Sequence, residues 1–331
     1  MKSTIANRFT QLFFSFVLLG VLHPAAWAQA DTYPNRPIKL VITWPVGGFA
    51  DTLGRTVATQ LGAILGQQVV VENRGGANGM IGADAVAKAA PDGYTLMFQS
   101  VTSHAINPTM YGKTPYAEKD ISPIAVVASV PMLLVANPSF PAKNIGDLIA
   151  LAKKDPDAIA YASFGNGSAS HLAGALFTNQ AGIKMTHIPY KGGAPAITDA
   201  LSGQVPLSFS AFGVALPHVK AGKLVALATT GSVRAKLLPD VPTIEEAGNL
   251  KGYEMSIVYA VWAPTGVPRP ILSKLSNAIE QVIVSNAFKE KVASDGGEVM
   301  NLSTPAESYV YYQKEMQRLS KIVKDGKIKA D

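Results

Sequence analysis

The residues of this chain best suited to chemistry are glycines and small hydroxyl side chains gathered in turns. Pro45-Val46-Gly47-Gly48-Phe49-Ala50-Asp51 follows the apolar run Ile38 to Trp44 and precedes a stripe of Leu53, Val57, Leu61 and Ile64. A buried strand, a glycine turn and an amphipathic helix make a βα unit. Adjacent glycines admit positive φ and let a ligand approach the backbone closely. The unpaired amides of the helix's first turn favour a negative group. The chemistry this predicts is anion binding at Val46, Gly47, Gly48, Phe49 and Ala50, with Asp51 capping the helix or touching the ligand. A plain strand-to-helix turn is the simpler alternative. No Lys-Ser/Thr pair closes the loop as a nucleotide phosphate site requires, and Asp51 stands where a dinucleotide fingerprint needs its third glycine.

Similar turns recur. Asn73 to Gly79 is glycine-rich and ends on Asn78-Gly79, and Ser163-Phe164-Gly165-Asn166-Gly167-Ser168 precedes a helix with Leu172, Leu176 and Phe177 on one face. Ser168 or Ser170 is its expected cap and a candidate ligand donor. Pro189-Tyr190-Lys191-Gly192-Gly193 is a fourth such turn, in which Lys191 ranks below the backbone as an anion contact because exposed loop lysines are usually solvated. His104 and His171 lie near these turns but show no paired metal spacing, so ordinary hydrogen bonding is expected. Asn166-Gly167-Ser168 does not form a Gly-x-Ser-x-Gly elbow. Neither catalysis nor a cofactor or metal is expected.

The elements that must position these turns alternate. Strands are predicted at 38–44, 68–72, 94–99, 159–162, 185–188, 207–210, 225–229 and 255–262, with helices after the first two, at 145–154, and after the fourth and fifth. Ser100 to Ser103 reads as a loop beyond a strand's carboxyl end, where parallel α/β sheets place ligands. Asn107-Pro108 and 116–122 read as an irregular polar passage, and the apolar segment 124–136 is broken at Val130-Pro131, the expected domain crossing. The tail reads as helices with no following strand. Residues 1–30 have the form of an export signal: Lys2 and Arg8, an apolar stretch from Leu12 to Leu22, and a cleavage site after Ala30 or Ala28. Without Lys2 and Arg8, 27 basic side chains face 23 acidic ones, a scattered excess unlike a nucleic-acid binder's basic stripe. The chain has no cysteine, which removes disulfides, a lipid-anchored cysteine and thiol chemistry.

Eight ordered motifs carry a closer likeness. They are Pro-Val-Gly-Gly-x-x-Asp at 45–51, Val-Glu-Asn-Arg-x-Gly-Ala at 71–77, Ala-Pro-Asp-Gly-Tyr-Thr-Leu at 90–96, Gly-Asn-Gly-Ser at 165–168 and Ser-His-Leu-Ala-Gly at 170–174. With them stand His-Ile-Pro-Tyr-Lys-Gly at 187–192, Leu-Pro-Asp-Val-Pro-Thr at 238–243 and Ala-Pro-Thr-Gly at 263–266. Together they resemble the Bug-type receptors, the periplasmic substrate-binding proteins of tripartite tricarboxylate transporters. The resemblance implies a type II periplasmic binding protein, two α/β lobes with a ligand cleft between them. Residues 31–130 and 256–331 would form one lobe and 131–255 the other. It implies a monomer in the periplasm that holds a small carboxylate and meets transporter membrane subunits or a sensor domain. By motif position the cleft would include the loop 46–51, Asn78, Gly79, Gln99, Ser100, Thr102, Ser163, Phe164, Asn166, Ser168, Ser170 and His171. Tyr190, Phe209 and Ser210 complete the expected set.

Three departures from the family pattern bear on the ligand. Members commonly carry small polar residues where this chain has Phe49-Ala50, a serine where it has Phe164, and often an acidic or amide pair near Phe209-Ser210-Ala211. Each change makes the expected cleft less polar. An aromatic mono- or dicarboxylate between Phe49 and Phe164 is therefore expected, ahead of a small aliphatic di- or tricarboxylate.

Overall fold

The computed structural model describes residues 33–326 and 328, so the expected export signal lies outside the described residues. In the first block, β1 (Ile38–Ile42) leads to α1 (Phe49–Leu65), β2 (Val69–Asn73) to α2 (Met80–Ala87), and β3 (Thr95–Ser100) to α3 (Val101–Tyr111). β4 (Ile121–Ala136) follows. The second block holds α4 (Ile145–Lys154), β5 (Ala160–Ser163), α5 (Ala169–Ala181), β6 (Thr186–Pro189), α6 (Gly193–Ser202), β7 (Leu207–Ala211), α7 (Phe212–Lys220), β8 (Val225–Thr229) and α8 (Ile244–Gly248). The chain returns through β9 (Ser256–Pro264) and ends with α9 (Arg269–Val284), α10 (Asn286–Ser294), β10 (Glu298–Leu302) and α11 (Pro305–Asp325).

Two groups of strands share β4. β1 pairs parallel with both β2 and β3, and β9 runs antiparallel between β3 and β4. The pairing of β4 with β9 runs from Ile121 opposite Pro264 to Pro131 opposite Ser256. From Met132 onward β4 pairs instead with β7 and β8, and β7 continues in parallel to β5 and β6. Every residue of β9 is buried, which places the core along the β4–β9 pair. Because the strands that precede α1 and α3, and those that precede α5, α6 and α7, are parallel within their blocks, these helices all start at strand carboxyl ends.

Several local expectations are corrected. Ser100 to Ser103 is not a loop: Ser100 caps α3 by accepting the Ser103 N–H at 3.2 Å, and the helix runs through Asn107-Pro108. β4 is continuous through Pro131, which sits where its partner changes. α7 and α8 stand where the sequence pattern predicts no helix. The helical tail contains a strand after all, since β10 adds antiparallel to β4. Gly47 has the expected positive φ of 85°, but Gly48 is extended at φ −80° and is itself the helix N-cap. Asp51 therefore stands in the first turn of α1 rather than at its cap.

Candidate functional site

The helix starts converge on a cavity of about 210 Å³. Its wall takes Trp44 to Ala50 from the β1–α1 turn, Ser103 from α3, Phe164, Ser168 and Ala169 from the β5–α5 turn, and Lys191 to Pro195 from the β6–α6 turn. Ala211 and Val214 at the start of α7, with Ile257 and Tyr259 of β9, complete it. α1, α6 and α7 have no side-chain cap: their N-caps are Gly48, Gly192 and Ala211. Backbone amides of three first turns are thereby left for an anion. α5 differs, because Ser168 accepts the His171 N–H.

Aromatic rings supply the rest of the surface. Phe49 meets Tyr259 edge to face at 5.5 Å, and Tyr259 stacks on Phe98 at 5.5 Å. Phe164 packs over Gly193, where a Cβ would stand 3.3 Å from its ring. Lys191 is the one charged side chain among the lining residues and is exposed.

Seven of the expected residues thus line the cavity: Val46, Gly47, Gly48, Phe49, Ala50, Phe164 and Ser168. The others are not among the lining residues. Asp51 is buried and accepts from the Gly47 N–H at 3.0 Å, Asn73 Nδ2 at 2.8 Å and Arg55 Nε at 2.9 Å. Burial opposes its ionisation, but the Arg55, Gly47 and Asn73 donors outweigh that and hold the carboxyl below its ordinary range. Asn78 Nδ2 donates at 2.8 Å to both Asn107 Oδ1 and the Gly167 carbonyl, while Tyr111 donates to the Asn166 carbonyl at 3.1 Å. These bonds tie α3 and the segment before α2 to the Phe164 loop. Gly79 leaves room for Gln99 and Thr43, whose side-chain polar atoms are buried without protein partners.

Thr102 donates to the Ser256 carbonyl at 3.1 Å, anchoring α3 to β9. Ser163 bonds His187 Nε2 at 2.6 Å, and Ser170 accepts the Phe164 N–H at 2.8 Å. His171 stacks on His187 with ring centres 3.8 Å apart and accepts the Gly167 N–H at 3.2 Å. Burial, then the His171 charge, lowers His187 to about 3, so it is neutral near pH 7. Tyr190 donates to Asp199, while Phe209 and Ser210 are fully buried in β7, Ser210 bonding Ser208 at 2.8 Å. No group of three or more metal-ligating side chains occurs among the described residues.

Sequence reasoning does not single out Trp44, Pro45, Ser103, Ala169, Gly192 to Pro195, Ala211, Val214, Ile257 or Tyr259 as contacts, and it ranks Lys191 below the backbone. The turn after β6 is visible as a fourth glycine turn and carries the needed signal. Ile257 and Tyr259 share one face of β9 by their two-residue spacing, but only the pairing of β9 with β3 brings that face to the α1 turn.

The family described as "Tripartite tricarboxylate transporter family receptor" matches residues 53–328. BugT of Bordetella pertussis is 37% identical over 91% of this chain and 92% of its own length. Among solved structures, an R. palustris protein with adipate is 34% identical, with a TM-score of 0.84 over 90% of this chain and 99% of that one. MatC from Rhodopseudomonas palustris with bound malate is 29% identical, with a TM-score of 0.81 over 88% and 100%. The periplasmic binding protein BugD is 35% identical, with a TM-score of 0.82 over 90% and 99%.

Proposed function

The chain belongs to the family of tripartite tricarboxylate transporter receptors, and from that premise we propose that its cavity captures a carboxylate with a flat apolar body, an aromatic mono- or dicarboxylate. It is a periplasmic solute-binding receptor rather than an enzyme, with the type II periplasmic binding protein fold. In this reading residues 31–130 with 256–331 and residues 131–255 are the two lobes, and the ligand is handed to the membrane subunits of a tripartite tricarboxylate transporter. A sensor domain is the alternative partner. The protein works as a monomer after removal of an export signal at Ala28 or Ala30.

The observation that carries the ligand reading is the meeting of three uncapped helix starts with Phe49, Phe164 and Tyr259 in one cavity. The volume is below the ~300–1,000 Å³ of sites for drug-sized ligands, which selects a small acid. Micromolar affinity requires about 8 kcal/mol. One helix start supplies at most ~2 kcal/mol when partly buried, and charge-assisted hydrogen bonds supply ~1.5–3 each. Burial of roughly 100 Å² of apolar ligand adds ~2.5 kcal/mol at about 25 cal/mol/Å². Several amides and both phenylalanines are therefore needed together. The relatives bound to adipate and malate support the second reading, an aliphatic dicarboxylate, in which Lys191 pairs with the second carboxylate.

Calorimetric titration of wild type, Phe49→Ser and Phe164→Ser with benzoate, terephthalate, adipate, malate and citrate separates the two. The expected result is tightest binding of an aromatic acid and a loss of about tenfold or more in each variant, since about 1.4 kcal/mol is tenfold. Binding of aliphatic acids alone, unchanged in both variants, would make the phenylalanines packing residues and overturn the aromatic reading.

A further inference from the structure

An ion pair outside the cavity lining touches the backs of two of its walls. Lys291 Nζ stands 4.9 Å from the centre of the Phe49 ring and 2.9 Å from Asp295 Oδ2. The Asp295 side chain is 2% exposed, and Ser294 Oγ also donates to Oδ2 at 3.3 Å. Its Oδ1 has no hydrogen-bond partner and lies 2.0 Å from where a Cβ on Gly213 would be. Gly213 is in the first turn of α7, between the lining residues Ala211 and Val214. Next to Asp295, Gly296 packs so closely on Phe212 that a Cβ there would come within 3.0 Å of the ring. The Asp295 charge is also felt at Tyr259, whose phenol pKa is raised first by burial and then by that charge.

We propose that Lys291 and Asp295 are positioning residues that fix the Phe49 ring and the first turn of α7, and so set the cavity's preference for flat apolar ligands. An ammonium over an aromatic face holds the ring by its quadrupole, and it does so here while neutralised by a carboxylate braced against α7. The two elements that the pair joins, α1 and α7, both contribute to the wall of the site and are far apart in sequence, one ending at Leu65 and the other starting at Phe212. The pair therefore links the placement of these two parts of the wall. This inference rests on reading the cavity as a carboxylate site.

The test is a double-mutant cycle on the purified protein. Lys291→Met with Asp295→Asn removes both charges at nearly constant shape, avoiding a lone buried carboxylate. Affinity for benzoate, terephthalate and adipate is measured with and without these two changes, once with Phe49 in place and once in the Phe49→Leu variant. The expected result is a loss of about tenfold for the aromatic acids when Phe49 is present, and of about twofold or less in the Phe49→Leu background, where there is no ring to hold. Gly213→Ala, which keeps both charges but displaces Asp295, is expected to lower the ratio of aromatic to aliphatic affinity in the same direction. Equal losses in both backgrounds, or an unchanged ratio in Gly213→Ala, would reduce the pair to a general structural role and overturn the inference. If a probe binds wild type and the cycle shows no coupling, the inference alone falls. If none of the three probes binds wild type, the site reading falls and takes the inference with it.

Discussion

Asp51 braces the β1–α1 turn. Its carboxylate occupies the Gly47 N–H and the Asn73 and Arg55 donors at once, so the turn is shaped before any ligand arrives. Asp51→Ala would leave those donors without their acceptor and is expected to lower unfolding free energy by about 3 kcal/mol in urea titration. No measurable loss would show that the turn holds itself. The motif makes this aspartate visible and the i,i+4 spacing to Arg55 suggests one partner, but nothing in the residue order says that Asn73 and the Gly47 N–H point at it. His104 is a second residue whose burial has a measurable consequence. Desolvation lowers its pKa to about 4, and His187 is lowered to about 3. An unfolded imidazole near 6.5 takes up a proton at about pH 5 that these folded rings refuse, so the unfolded state binds more protons and stability falls with pH between about 6.5 and 4. His104 alone is expected to contribute a loss of about 1.5 kcal/mol from about pH 6.5 to 5. Denaturant midpoints unchanged between about pH 7 and 5 would contradict neutral burial of both rings.

At the level of elements, the helices that sequence period reveals most directly are those with one polar face. α1, α4, α9 and α11 have such a face. α3 does not: Val101 to Asn107 are all buried, and Pro108 lies inside it, so neither amphipathic period nor a stop signal marks it correctly. α7 is short and contains Pro217. β10 escapes the pattern because five residues of mixed exposure carry little period-2 signal, and its partner lies in β4, far back in the chain. One hydroxyl links these late elements. Ser308 of α11 accepts the Val126 N–H at 3.0 Å, where the β4–β9 register shifts, and donates to the Leu302 carbonyl at 2.7 Å. Ser308→Ala would strand both backbone groups in the core and is expected to lower stability by about 2 kcal/mol without changing ligand affinity. A loss of affinity equal to the loss of stability would place Ser308 in the binding machinery instead.

Across the whole molecule, much of the alternation of strands, small-residue turns and helices is readable because the β1–α1, β2–α2, β5–α5 and β6–α6 units each carry their own local signal. The site itself is partly readable. The β1–α1 and β5–α5 turns announce themselves by composition, whereas Ala211, Val214, Ile257 and Tyr259 join the cavity only through sheet order. The exchange of β4's partners at Pro131 falls where the proposal puts one lobe boundary, and among the described strands it is β4 that pairs in both strand groups. All of this serves one claim, that the convergent helix starts hold a carboxylate. The most direct measurement is a thermal-shift series of the purified protein with benzoate, phthalate isomers, hydroxybenzoates, adipate, malate, citrate and acidic amino acids. A ligand of the folded state stabilises it by RT ln(1 + [L]/Kd), about 2.7 kcal/mol at a hundredfold excess over Kd. The predicted result is a saturable rise in Tm with carboxylates, largest for an aromatic one. A Tm unmoved by every carboxylate at millimolar concentration would contradict it.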